Sequence, residues 1–73
     1  MTMSQSEDWP KMPTAAECIA EIAKNYTLEG VAIVVKSRNR ALGGETPEAL
    51  METVEGRRRV YAWARGLTEG VMG

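Results

Sequence analysis

The chain has 73 residues, a formal charge of −1, 44% hydrophobic and 26% charged residues. That is one small soluble domain, which buries only about 60% of the surface its unfolded form exposes. With no histidine and the single cysteine Cys18, imidazole relay chemistry and an internal disulfide are excluded, and a zinc site is disfavoured. No apolar run approaches the ~18 residues of a membrane span. The polar, acidic start Met1–Asp8 is wrong for a secretory signal. Together with a lone thiol this predicts a reducing, cytoplasmic setting. Small size and the absence of a phosphate loop argue against an enzyme, and nothing calls for a cofactor.

Residues 1–12 read as a flexible arm. Ser4 to Asp8 are polar, and Pro10 and Pro13 interrupt any regular element. Trp9 could anchor this arm on a partner. Residues 13–73 read as one helical domain.

The first helix opens with Thr14, and Glu17 three residues later completes a capping box. Ala15, Cys18, Ile19, Ile22, Ala23 and Tyr26 follow the spacing of one buried stripe, with Glu17, Glu21 and Lys24 on the wet side. Cys18 lies within the stripe, so it reads as core rather than nucleophile.

Thr27 can cap a second helix with Leu28, Val31, Val34 and Val35 on one face. The β-branched run Val31–Val35 would also suit a buried strand. No second strand-like run is present to pair with it, which favours a helix over about Leu28–Lys36.

Lys36 to Glu45 form a connector in which Leu42 is the one large apolar residue, expected to plug into the core. Gly43 and Gly44 permit positive φ. Thr46 and Pro47 are a cap and first helical residue, and Glu48 complements the dipole of a short third helix. Thr53 caps the last helix, expected to reach about Glu69. Val60, Ala64, Leu67 and Val71 form its stripe. Gly56 and Gly66 lie inside it at about 1 kcal/mol each, which predicts close packing or a kink.

The stretch Asn39-Arg40-Ala41-Leu42-Gly43-Gly44-Glu45-Thr46-Pro47-Glu48-Ala49-Leu50, followed by Thr53-Val54-Glu55-Gly56 and Gly70-Val71, resembles the toxin-binding domain of the Xre/MbcA/ParS antitoxin family. The likeness spans about Leu28 to Met72. It implies an all-helical module that covers the active site of a cognate toxin, usually a RES-domain protein that consumes NAD. Carried over, the contact residues are Asn39, Arg40, Gly43 and Gly44 in the loop and Gly70, Val71 and Met72 in the tail. Glu69 and the terminal carboxylate would complement a cationic cleft. The sequence departs from the pattern at Val34-Val35, where the family usually has Trp-Leu, and at Arg38, where it has Pro. Trp63 is expected to fill the volume that Val34 leaves. The family's N-terminal helix-turn-helix-like region is expected to be missing.

Two further readings stand beside the antitoxin. Arg57, Arg58, Arg59 and Arg65, interleaved with Tyr61 and Trp63, could track nucleic-acid phosphates, since Arg57, Tyr61 and Arg65 share a helical face. Nearby acids, including Glu55 as the i, i+4 partner of Arg59, weaken that reading. The third is a module that only oligomerises. Glu48, Glu52 and Glu55 lack the ligand pattern of a calcium loop.

The expected fold is all-α, three to four short helices around Ile19, Ile22, Leu28, Val31, Val35, Leu42, Leu50, Val60, Ala64 and Leu67. Folding alone is marginal at this size. A homodimer or hetero-complex is therefore expected, anchored by Trp9, Tyr26 or Trp63.

Overall fold

The computed structural model describes residues 11–70. Trp9, Val71, Met72 and the terminal carboxylate, all named above as contacts, lie outside the described residues. Among these residues four α-helices follow in order: α1 (Ala15–Ala23), α2 (Leu28–Val35), α3 (Pro47–Leu50) and α4 (Val54–Gly70), with a 3-10 turn at Arg40–Leu42 between α2 and α3. The only pairing of β type among these residues is an isolated bridge between Asn39 and Glu45. No described helix is long and apolar enough to cross a membrane.

Each start is set locally by a hydroxyl or amide oxygen. In the capping box, Glu17 N donates to Thr14 Oγ1 at 3.1 Å and Thr14 N donates to Glu17 Oε1 at 2.8 Å. Thr27 Oγ1 accepts from Gly30 N at 3.0 Å, Thr46 Oγ1 from Ala49 N at 3.1 Å, and Thr53 Oγ1 from Gly56 N at 2.9 Å. The β-branched run is therefore helical. Its backbone groups are satisfied within α2, as the absence of a second strand requires.

α4 is the central element, against which α1, α3 and the 3-10 turn all pack. The core is Cys18, Ile22, Val31, Leu42, Val60, Tyr61 and Ala64, with Val34, Val35, Leu50, Met51 and Trp63 packed against it. Leu42 is only 2% exposed, the plug its isolation among polar residues predicts. Trp63 and Val34 are both partly buried against this core.

Three expectations about faces are corrected. On α1 the buried arc is Cys18, Glu21 and Ile22 rather than the stripe through Ala15, Ile19, Ala23 and Tyr26, and Ile19 is 39% exposed. Glu21 is not on the wet side. It is 7% exposed, and its Oε2 accepts from Lys24 Nζ at 2.9 Å and Tyr61 Oη at 3.5 Å. Both donors serve Oε2, whereas Oε1 is buried with no hydrogen-bond partner among the described residues, so the burial of this carboxylate is only half compensated. The face continues to Asn25, whose Nδ2 donates to Thr68 Oγ1 of α4 at 3.0 Å. On α2, Leu28 is 87% exposed, while Val31, Val34 and Val35 are the side chains of this helix that pack into or against the core. Leu67 is half-buried.

The two helical glycines separate. A Cβ on Gly56 would fall on the Leu50 carbonyl, so the α3–α4 contact requires glycine there. A Cβ on Gly66 would meet nothing within 4 Å, and α4 continues past it to Gly70. The expected close packing therefore holds at Gly56 and not at Gly66.

Candidate functional site: the Asn39–Gly44 loop and the adjoining groove

The loop is held by its own polar groups. Asn39 N donates to Glu45 O at 3.0 Å, Gly44 N to Asn39 O at 2.9 Å, and Ala41 N to Asn39 Oδ1 at 2.8 Å. Gly43 and Gly44 carry φ of 73° and 85°, left-handed values that glycine adopts without strain. Asn39 is therefore a builder of the loop, its Oδ1 spent on a backbone N–H. Arg40, Gly43 and Gly44 are exposed.

Beside this loop runs an open groove lined by Ala41, Leu42, Arg59, Ala62, Trp63, Gly66 and Leu67. It forms because Arg59, Trp63 and Gly66 recur at i, i+4 and i+7 on α4, which puts them on one face toward the 3-10 turn. Gly66 removes a side chain from the wall. Nη2 of Arg59 lies 3.5 Å from where a Cβ of Gly43 would stand, so the guanidinium reaches the loop. The resemblance pointed to the loop but not to these groove residues. The signal available in the sequence was the shared face of Arg59, Trp63 and Gly66.

The arginines diverge. Arg57 Nε donates to Pro13 O at 2.8 Å and its Nη1 to Met51 O at 2.9 Å. Arg58 Nε donates to Lys11 O at 2.6 Å, and its Nη1 lies 3.6 Å from Glu55 Oε1. The acid pairs with Arg58, not with Arg59 as its i, i+4 spacing predicted. Arg65 Nη2 pairs with Glu69 Oε2 at 3.2 Å. That hydrogen bond, helped by Tyr61, holds the guanidinium charged. Tyr61 is buried against α1, so Arg57, Tyr61 and Arg65 do not make an exposed stripe. Arg59 and Arg40 are exposed, with no side-chain hydrogen bond or ion pair among the described residues. Glu69, expected to face a cationic cleft, is engaged by Arg65.

Cys18 is buried, and its Sγ donates to Arg57 O at 3.3 Å. Burial pushes the thiol up, partly offset by the Arg57 charge. The folded pKa then exceeds the unfolded one. The contribution to stability is intact below the ordinary thiol value and is lost as pH climbs from there through the folded value. Thermal melts are expected to fall above about pH 8.5, with a shallower slope in Cys18→Ala. Equal slopes would show that Cys18 does not titrate with folding.

No protein-family model matches the chain, and comparison with curated proteins and with solved structures gives no match.

Proposed function

We propose that the chain is a non-enzymatic protein-binding module of the Xre/MbcA/ParS antitoxin kind, which neutralises a RES-type, NAD-consuming toxin in the cytoplasm by covering its active site. The supporting observation is the Asn39–Gly44 loop, exposed on a rigid, self-bonded frame beside an apolar groove. A loop ordered before binding costs little entropy on association. Trp63 and Leu67 offer the apolar contact, and Arg59 on the groove wall and Arg40 in the loop offer charge that has no partner among the described residues.

The test is co-expression with RES-domain toxins, followed by co-purification and an assay of NAD consumption. The parent chain should bind and suppress consumption. Arg59→Glu, and Arg40→Ala to a smaller degree, should weaken binding by about tenfold or more with unchanged helical circular dichroism. Suppression that is indifferent to both changes would remove the loop and groove from the interface. The nucleic-acid reading retains one observation in its favour, the exposed cations Lys36, Arg38, Arg40 and Arg59, which have no side-chain partner among the described residues. Steeply salt-dependent DNA affinity, lost in Arg59→Glu, together with no bound toxin, would replace the proposal by that reading.

A further inference from the structure

α2 is apolar on nearly all sides. Its sequence is Leu-Glu-Gly-Val-Ala-Ile-Val-Val, yet only Val31 is fully buried. At about 100° per residue, Val31, Val34 and Val35 turn to the core. Leu28, Ala32, Lys36, Glu29 and Ile33 occupy the opposite arc, which spans about 140°. All five are exposed, Leu28 at 87% and Ile33 at 66%. A helix that is hydrophobic all round is ordinarily covered on every side.

The charges on this arc say what covers it. Glu29 and Lys36 lie near its middle, one at each end of the helix. Neither has a side-chain partner among the described residues. Each is three residues from the central pair Ala32-Ile33. A two-fold axis passing between Ala32 and Ile33 therefore sets Glu29 of one copy against Lys36 of the other, and the reverse. The same axis keeps each side of the arc on its own side, so Ala32 meets Ala32 and Ile33 meets Ile33 of the other copy near the centre, and Leu28 lies toward the methylene stem of Lys36. The face is self-complementary in the antiparallel sense, as an isologous contact requires. In a parallel pairing Glu29 would meet Glu29.

We infer that the exposed arc of α2 is a self-association surface, through which two copies of this chain pair antiparallel. The contact is about 12 Å long at 1.5 Å per residue, so it falls short of the ~1,200 Å² that stable interfaces bury. The dimer is weak and concentration-dependent. This surface is independent of the loop and groove, and its test does not depend on the identity of any toxin.

Sedimentation equilibrium of the full chain from about 20 μM to about 1 mM should show monomer passing to dimer. Ile33→Glu should abolish the dimer while preserving helical circular dichroism, since the residue faces water in the monomer. Glu29→Lys and Lys36→Glu should each weaken association by about tenfold, because every contact pair then carries like charge. The double variant should recover the parent constant. A chain that stays monomeric throughout overturns the inference, as does a dimer indifferent to Ile33→Glu. Failure of the double variant to recover overturns the antiparallel register.

Discussion

Gly56→Ala is expected to lower the melting temperature by about 12–24 °C, the equivalent of about 3 kcal/mol in a domain of this size. The direction is opposite to helix propensity, which favours alanine over glycine by about 1 kcal/mol in a helix interior. The reason is the Leu50 carbonyl. A Cβ at Gly56 falls on that backbone oxygen, with the Leu50 carbonyl carbon at 2.6 Å. Leu50 is the last residue of α3, and Thr53, which caps α4 through Gly56 N, follows three residues later. Nothing in so short a connection can yield without parting α3 from α4. Gly66→Ala is the control: the same atoms are added to the same helix, in open space. It is expected to raise the melting temperature by about 4–8 °C, for about 1 kcal/mol. Thermal melts of the two variants decide the matter, and shifts of the same sign would sink the packing argument.

Arg57→Met is expected to cost about 2–3 kcal/mol, while Arg59→Met stays within about 0.5 kcal/mol of the parent. Arg57 joins three segments. Its guanidinium donates to Pro13 O, just before α1, and to Met51 O, just after α3, while its own carbonyl accepts the Cys18 thiol. Methionine keeps most of the stem and removes both charged donors. Two carbonyls at helix junctions then lose their charge-assisted bonds. Arg59 donates to no described residue, so its loss should leave the fold intact and register in partner binding alone. Denaturant titration separates the two variants. Equal stabilities would mean that the Arg57 bonds exchange for water at no cost. Lysine at position 57 should not restore the parent, since one ammonium cannot reproduce the fork that reaches both carbonyls.

These three consecutive arginines show where sequence reasoning reached its limit. In the sequence Arg57-Arg58-Arg59 is a uniform basic run, readable as a phosphate-binding stripe. The helix turns about 100° per residue, so the three side chains enter three surroundings: the junction of α1 and α3, the Lys11 carbonyl, and the groove beside Gly43. Only the neighbours decide which arginine is structural and which is left for a partner. The loop motif was legible down to its glycines, because the turn chemistry of Asn39, Gly43 and Gly44 is local. The groove was not, since its two walls come from the 3-10 turn and from α4, well separated in the chain.

What the residue order settled by itself is the set of helix starts and the all-α architecture. Thr14, Thr27, Asn39, Thr46 and Thr53 each bond a backbone N–H two or three residues ahead, so no distant contact is needed to place them. The lone β-branched run became a helix for the same kind of reason, having no strand to satisfy its backbone. Which arc of each helix meets the core was decided by tertiary structure. Glu21 is buried because α4 packs over its side of α1, which brings the Tyr61 hydroxyl, forty residues away in the chain, to 3.5 Å from its Oε2. Leu28 is left in water because no described element packs over the start of α2. Gly56 is indispensable and Gly66 replaceable because one lies against a carbonyl and the other against open space. Hydrogen-bonded caps act within a single turn, whereas burial is a property of whatever the rest of the chain brings alongside.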